Sequence, residues 1–105
     1  MPTKVENKEQ IVKCLLSSQE RIKALGVQRI GLFGSFVTGR QTSDSDVDVF
    51  VEFFPNQHSF DNFMDLSFLL EDLFSRAVEL VTPEALSPYM GPHILEEVEL
   101  VSFAA

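Results

Sequence analysis

At 105 residues the chain has room for one hydrophobic core, so a single domain over residues 1–105 is expected. Hydrophobic residues make up 45% of it, ten of them Phe, which argues against intrinsic disorder. Eight Lys and Arg against sixteen Asp and Glu leave a net charge of -8, which argues against broad binding to nucleic-acid backbone, because that binding needs cations to displace counterions.

The same acidity suits a basic partner or divalent cations. Cys14 is the only cysteine, so no intrachain disulfide can form and no oxidising compartment is needed. The first ten residues, MPTKVENKEQ, lack a signal-peptide pattern, and a cytoplasmic location is the expectation.

Thr3 and Glu6 have the spacing of a capping box, and Ile11, Leu15, Ile22 and Leu25 recur at helical spacing, predicting one helix from Lys4 to Leu25. The stretch VQRIGLF, Val27 to Phe33, predicts a strand that stops at Gly34-Ser35, with a short helix from Ser35 to near Gly39. After the loop composition TSDS the next strand alternates. Val47, Val49, Val51 and Phe53 take one face, and Asp46, Asp48, Phe50 and Glu52 the other.

Pro55 to His58 breaks the chain, and Ser59 can cap a helix from Phe60 to Phe74. On that helix only Asp61, Asp65 and Asp72 form a polar stripe. One sheet cannot cover the rest, so a central core helix is expected, with part of its face open to self-association or to a partner. RAVELVT, Arg76 to Thr82, predicts a third strand ended by Pro83. Pro88 and Pro92 leave short helical pieces, and VELVSF, Val98 to Phe103, predicts a last strand at the sheet edge. The order indicates an α/β (α+β) domain, a small mixed β-sheet with packed helices.

Asp46 and Asp48 lie two apart on a strand, so their carboxylates leave one face with Cα atoms roughly 6.5 to 7 Å apart. Two bare carboxylates that close repel, and a hard cation such as Mg²⁺ between them offsets the repulsion. An Asp-x-Asp strand alone equally describes a solvated sheet face. Gly34-Ser35 upstream adds chemistry: Gly34 lets backbone approach a ligand, the amides of Ser35 and Phe36 face outward from a helix start, and Ser35 adds a hydroxyl. A phosphate-binding turn beside a metal-binding pair is the apparatus of nucleotidyl transfer. His58 and His93 lie away from these residues and read as surface or packing side chains.

Gly34-Ser35, ten intervening residues and Asp46-Val47-Asp48 resemble the GS-x10-D-x-D signature of the DNA polymerase β-type nucleotidyltransferase superfamily. GSFVTGRQTSDSDVDVFVEF, SFDNFMDLSFLLEDLF, AVELVTPEAL and ILEEVELV are similar to its minimal nucleotidyltransferase (MNT) members. The resemblance implies the DNA polymerase β-like fold, Mg²⁺ on Asp46 and Asp48, nucleotide phosphates on Gly34 and Ser35, and a third carboxylate, Glu79, completing the metal or base site. It further implies transfer of AMP from ATP to a hydroxyl, a tyrosine, on a HEPN-domain toxin, with this chain resembling the antitoxin of a HEPN/MNT pair.

In the minimal group Asp in a VDLV context is more usual where this chain has Glu79 in VELV. Glutamate keeps the charge and reaches roughly 1.5 Å further. A misplacement of about 1 Å can cost about a hundredfold in rate, so Glu79 puts the rate at stake more than the site. Arg40 has two readings, contact with the triphosphate or an exposed pair with Asp44. Two other functions stand beside transfer to a HEPN toxin: neutralisation of that partner by docking alone, and service as the catalytic subunit of a two-chain small-molecule nucleotidyltransferase.

Overall fold

Asn7 opens the first helix. In the computed structural model, which describes residues 4–89 and 91–103, the Asn7 side chain accepts the Gln10 amide at 2.9 Å and starts α1 (Lys8–Ser17). Thr3 of the expected capping box lies outside the described residues. Residues 4–6 are not helical, because Val5 is buried and its amide bonds to the Phe74 carbonyl, which pulls the chain across the end of a later helix.

The helix expected from Lys4 to Leu25 is therefore shorter, and it is also two helices. The backbone departs from helical geometry at Ser18, and α2 (Gln19–Ala24) follows. Ser17 and Ser18 are poor helix interior residues, since their hydroxyls compete for backbone groups. Ile11, Leu15 and Ile22 still bury fully on either side of the break, so the apolar spacing was set by the core rather than by one continuous helix.

Next come β1 (Val27–Phe33), α3 (Ser35–Thr38), β2 (Val47–Phe53), α4 (Phe60–Phe74), β3 (Val78–Val81), a 3-10 turn at Pro83–Ala85, α5 (Gly91–Glu97) and β4 (Glu99–Val101). The sheet has the order β3-β2-β1-β4. β1 runs antiparallel to β2 and to β4, while β2 and β3 are parallel, joined by the α4 crossover that a parallel pair requires. This is the mixed sheet with packed helices that the element order predicts.

The alternation in β2 decides which face packs against α1, α2 and α4, while Phe50 on the opposite face is buried as well. Val47, Val49 and Val51 are fully buried in one cluster with Ile11 and Leu15 of α1, Ile22 of α2, and Leu66, Leu70 and Phe74 of α4. Helix α4 begins where Ser59 Oγ accepts the Asn62 amide at 3.1 Å, and its Asp61, Asp65 and Asp72 face solvent. Phe60 and Phe68 stay 76% and 60% exposed, because the sheet reaches only one side of the helix.

Two strands are shorter than expected. β3 starts at Val78, not Arg76, and ends at Val81; β4 covers only Glu99–Val101. Arg76 leaves the strand because its side chain turns inward to carbonyl partners. Among the described residues no helix is long and apolar enough to cross a membrane.

Candidate active site

The other face of the sheet, where Phe33 and Phe50 are buried but Asp46 is exposed and Asp48 half-buried, carries the chemistry. Phe33, the last residue of β1, pairs with Asp48 on β2, and Asp48 pairs with Glu79 on β3. Paired residues on neighbouring strands share a face, about 4.8 Å apart in the hydrogen-bonding direction. Asp48 thus lies between the end of β1 and the Glu79 carboxylate.

Gly34 continues from Phe33 with φ 78° and ψ -152°, backbone that side-chain-bearing residues almost never adopt. A Cβ at this position would also overlap the Asp48 carboxylate. Glycine is required here twice, for the turn and for the carboxylate it touches. Ser35 and Phe36 then open α3, so their amides have no intrahelical acceptor. The helix closes at Gly39 in the left-handed region, and the Arg40 amide returns to the Ser35 carbonyl at 2.9 Å.

The carboxylates crowd. Asp48 is half-buried and its carboxyl is pushed up to about 6 from the usual 3.8. Burial is the largest cause, followed by the hydrogen bond that the protonated Asp48 carboxyl donates to Glu79, the Glu79 charge, and the charges of Asp46 and Glu97. Asp46 and Glu79 are exposed, so the group opens to solvent. Glu97, at the end of α5, also accepts the backbone amide of Gly34.

This donor set suits a hard cation. Among the described residues no three His, Cys, Asp or Glu side chains form a ready-made cage. Mg²⁺ characteristically takes one or two protein carboxylates and completes its shell with water and substrate phosphate oxygens. Asp48, whose carboxyl is held protonated up to about pH 6 by burial first and by the carboxylates beside it second, is the kind of group a divalent cation relieves.

Of the residues expected from sequence, the fold gathers Gly34, Ser35, Asp46, Asp48 and Glu79 at one end of the sheet. Arg40 follows on the surface with its side chain exposed, and no ion pair with Asp44 forms among the described residues. Asp44 is an exposed loop residue. His58 stacks on Phe53 with ring centroids 5.1 Å apart, a packing role. Glu97 and Arg76 were not anticipated: nothing local in ILEEVELV or RAVELV tells that one returns to Gly34 and the other to the loop before Asp46.

A mixed four-stranded sheet with a glycine-serine turn closing one strand and carboxylates on the next two has the architecture of a nucleotidyl-transfer enzyme. The chain belongs to the nucleotidyltransferase domain family, whose model matches residues 9–101, and it is a nucleotidyltransferase. Protein adenylyltransferase MntA of Thermococcus cleftensis is 35% identical over 94 residues, covering 89% of this chain and 94% of that one. A Methanocaldococcus jannaschii chain assigned as a protein adenylyltransferase is 38% identical over 74 residues, 69% of this chain and 74% of that one. Among solved structures, one assigned as a minimal nucleotidyltransferase has a TM-score of 0.68 at 26% identity, covering 84% of this chain and 93% of that one. A toxin–antitoxin complex with AMP-PNP shares the fold, with a TM-score of 0.67 at 23% identity over 94% of this chain and 75% of that one.

Proposed function

We propose that the chain transfers AMP from ATP to a hydroxyl on a HEPN-domain partner and so serves as the antitoxin of that pair. The observation that carries this reading is the contact between the Gly34 turn and Asp48, with Glu79 hydrogen-bonded to Asp48 from the neighbouring strand. A phosphate-binding turn and metal-binding carboxylates within one contact of each other suit attack at a nucleotide phosphorus.

In this reading the Ser35 hydroxyl and the amides of Ser35 and Phe36 hold the triphosphate, and Arg40 meets it from the exposed side. Asp46 and Asp48 would hold Mg²⁺, with Glu79 completing the set or taking the acceptor's proton. Bound Mg²⁺ supplies neutralisation of phosphate charge and a more acidic acceptor hydroxyl. The acceptor oxygen forms a bond to the α-phosphorus as the bond to the β-phosphate's bridging oxygen breaks, and pyrophosphate leaves. The hydroxyl proton passes to Glu79 or to water. ATP as the donor fits a cytoplasmic reaction.

The acceptor class is supported by the relatives. The Thermococcus relative carries the name protein adenylyltransferase, and a complex of tri-AMPylated Shewanella oneidensis HEPN toxin with MNT antitoxin shares the fold, with a TM-score of 0.61 at 16% identity. A net charge of -8 suits a basic nuclease surface.

Co-expression with a HEPN partner followed by intact mass measurement tests the reading. One or more AMP masses on the partner are expected, and they disappear in an Asp46→Asn, Asp48→Asn double variant. A partner that gains no such mass overturns it. Exposed Phe60 and Phe68 favour a second reading, neutralisation by docking, with the same surface open to self-association. A double variant that suppresses the toxin as well as the parent does would select that reading.

A further inference from the structure

Arg76 is 8% exposed and forms no ion pair among the described residues. A buried cation without a carboxylate is costly unless its donors are satisfied, and an apolar side chain of similar size would avoid that cost. Its Nε donates to the Val5 carbonyl at 2.6 Å, and its Nη1 faces the carbonyls of Thr42, Ser43 and Ser45 at 3.1, 3.3 and 2.8 Å. The guanidinium carbon lies 5.0 Å from the centre of the Phe36 ring.

These partners belong to the two halves of the site. Phe36 follows Ser35 and is itself buried, so it fixes α3 behind the glycine-serine turn. Residues 42–45 are the loop that delivers Asp46. Ser45's carbonyl belongs to the peptide unit before Asp46, and Arg76 holds it. The amide of Val47 belongs to the peptide unit after Asp46, and the Ala77 carbonyl accepts it at 2.9 Å. Both peptide units of Asp46 are therefore held by the Arg76-Ala77 dipeptide.

We infer that Arg76 is the positioning residue that sets Asp46 against the Gly34-Ser35 turn, an inference that rests on the nucleotide site described under the proposed function. A planar guanidinium can fork to several carbonyls while stacking flat on an aromatic ring. A lysine ammonium at this position keeps the charge but cannot do both.

The test compares the parent with Arg76→Lys and Arg76→Ala, using Mg²⁺ with AMP-PNP as the probe and hydrogen exchange at residues 42–47 as the local readout. In Arg76→Lys, exchange at those amides rises and the dissociation constant for Mg²⁺·AMP-PNP rises about tenfold. Millimolar methylguanidinium restores affinity to Arg76→Ala, and methylammonium does not. Arg76→Lys carries the test should Arg76→Ala fail to fold. A loosened loop with parental affinity overturns the inference, as does weakened binding with an unchanged loop. Should the parent itself bind no Mg²⁺·AMP-PNP, the nucleotide reading fails; the exchange arm then decides alone, and an unloosened 42–47 segment overturns the placement of Asp46 by Arg76.

Discussion

The Glu97 carboxylate accepts the backbone amide of Gly34, 63 residues earlier in the chain, and so ties the last helix to the turn that would meet phosphate. The same carboxylate is one of the charges that disfavour ionisation of Asp48. Its two roles, acceptor and anion, can be separated. Glu97→Gln keeps an acceptor for Gly34 and removes the charge, whereas Glu97→Ala removes both and leaves the amide unpaired, at a cost of about 1–3 kcal/mol. Binding of Mg²⁺·AMP-PNP, followed by calorimetry, is expected to weaken in Glu97→Ala and to hold in Glu97→Gln. Equal weakening in both would mean that the charge, not the acceptor, is what the site needs.

Gly34→Ala places a Cβ at φ 78° and into the Asp48 carboxylate. Backbone strain of this kind costs about 1–3 kcal/mol, and the displaced carboxylate is one of the two proposed to hold Mg²⁺. Denaturant unfolding should show the loss of stability, and Mg²⁺-dependent nucleotide binding should vanish in the same variant. Parental stability would show that the turn relaxes without the glycine.

The Asp48 carboxyl, raised to about 6 from 3.8, fixes the sign of a pH effect on the metal-free protein. The folded state binds this proton more tightly than the unfolded state does. Its contribution to stability is complete below about pH 3.8 and is lost as pH rises through about 6. Asp48→Asn carries no such charge, so it is expected to melt higher than the parent at pH 7.5, with the gain shrinking towards pH 4. A gain that is flat across this range would show that Asp48 ionises freely in the folded chain.

How much of this was legible in the chain depends on how local each signal is. The Val47, Val49 and Val51 alternation identified the face of β2 that packs on the helices, and Asp46 and Asp48 followed on the other with the buried Phe50, because side-chain direction in a strand repeats every two residues. Ser59 marked the start of α4 because a cap is a one-turn event. The first helix was misjudged, since apolar spacing continues through Ser17 and Ser18 while the hydrogen-bonded ladder does not. Glu97 and Arg76 escaped notice because their partners are 63 and 31 or more residues away, and nothing short-range encodes such closure.

Helix α4 offers a contrast within one element. Leu66 is fully buried and Phe68, two residues on, is 60% exposed. Leu66→Ala should cost about 2–5 kcal/mol, from lost transfer energy and the cavity left behind. Phe68→Ser should stay within about 0.5 kcal/mol of the parent. Chemical denaturation of the two variants checks this, and a large loss in Phe68→Ser would mean that the exposed side of the helix is covered in solution.

Mg²⁺ removal supplies the most direct check on the carboxylates. Asp48 is half-buried, so bulk salt screens the repulsion from Glu79, Asp46 and Glu97 only partly, and a site-bound divalent cation should do far more. A ligand that binds only the folded state stabilises it by roughly 2.7 kcal/mol at a hundred times its dissociation constant, on the order of 10 °C for a domain of this size. Mg²⁺ with AMP-PNP is therefore expected to raise the melting temperature, EDTA to reverse the rise, and sodium chloride of equal ionic strength not to reproduce it. In Asp46→Asn, Asp48→Asn the rise should disappear while the double variant, freed of two crowded charges, melts no lower than the metal-free parent. A rise that survives the double substitution would place the cation elsewhere on this acidic surface.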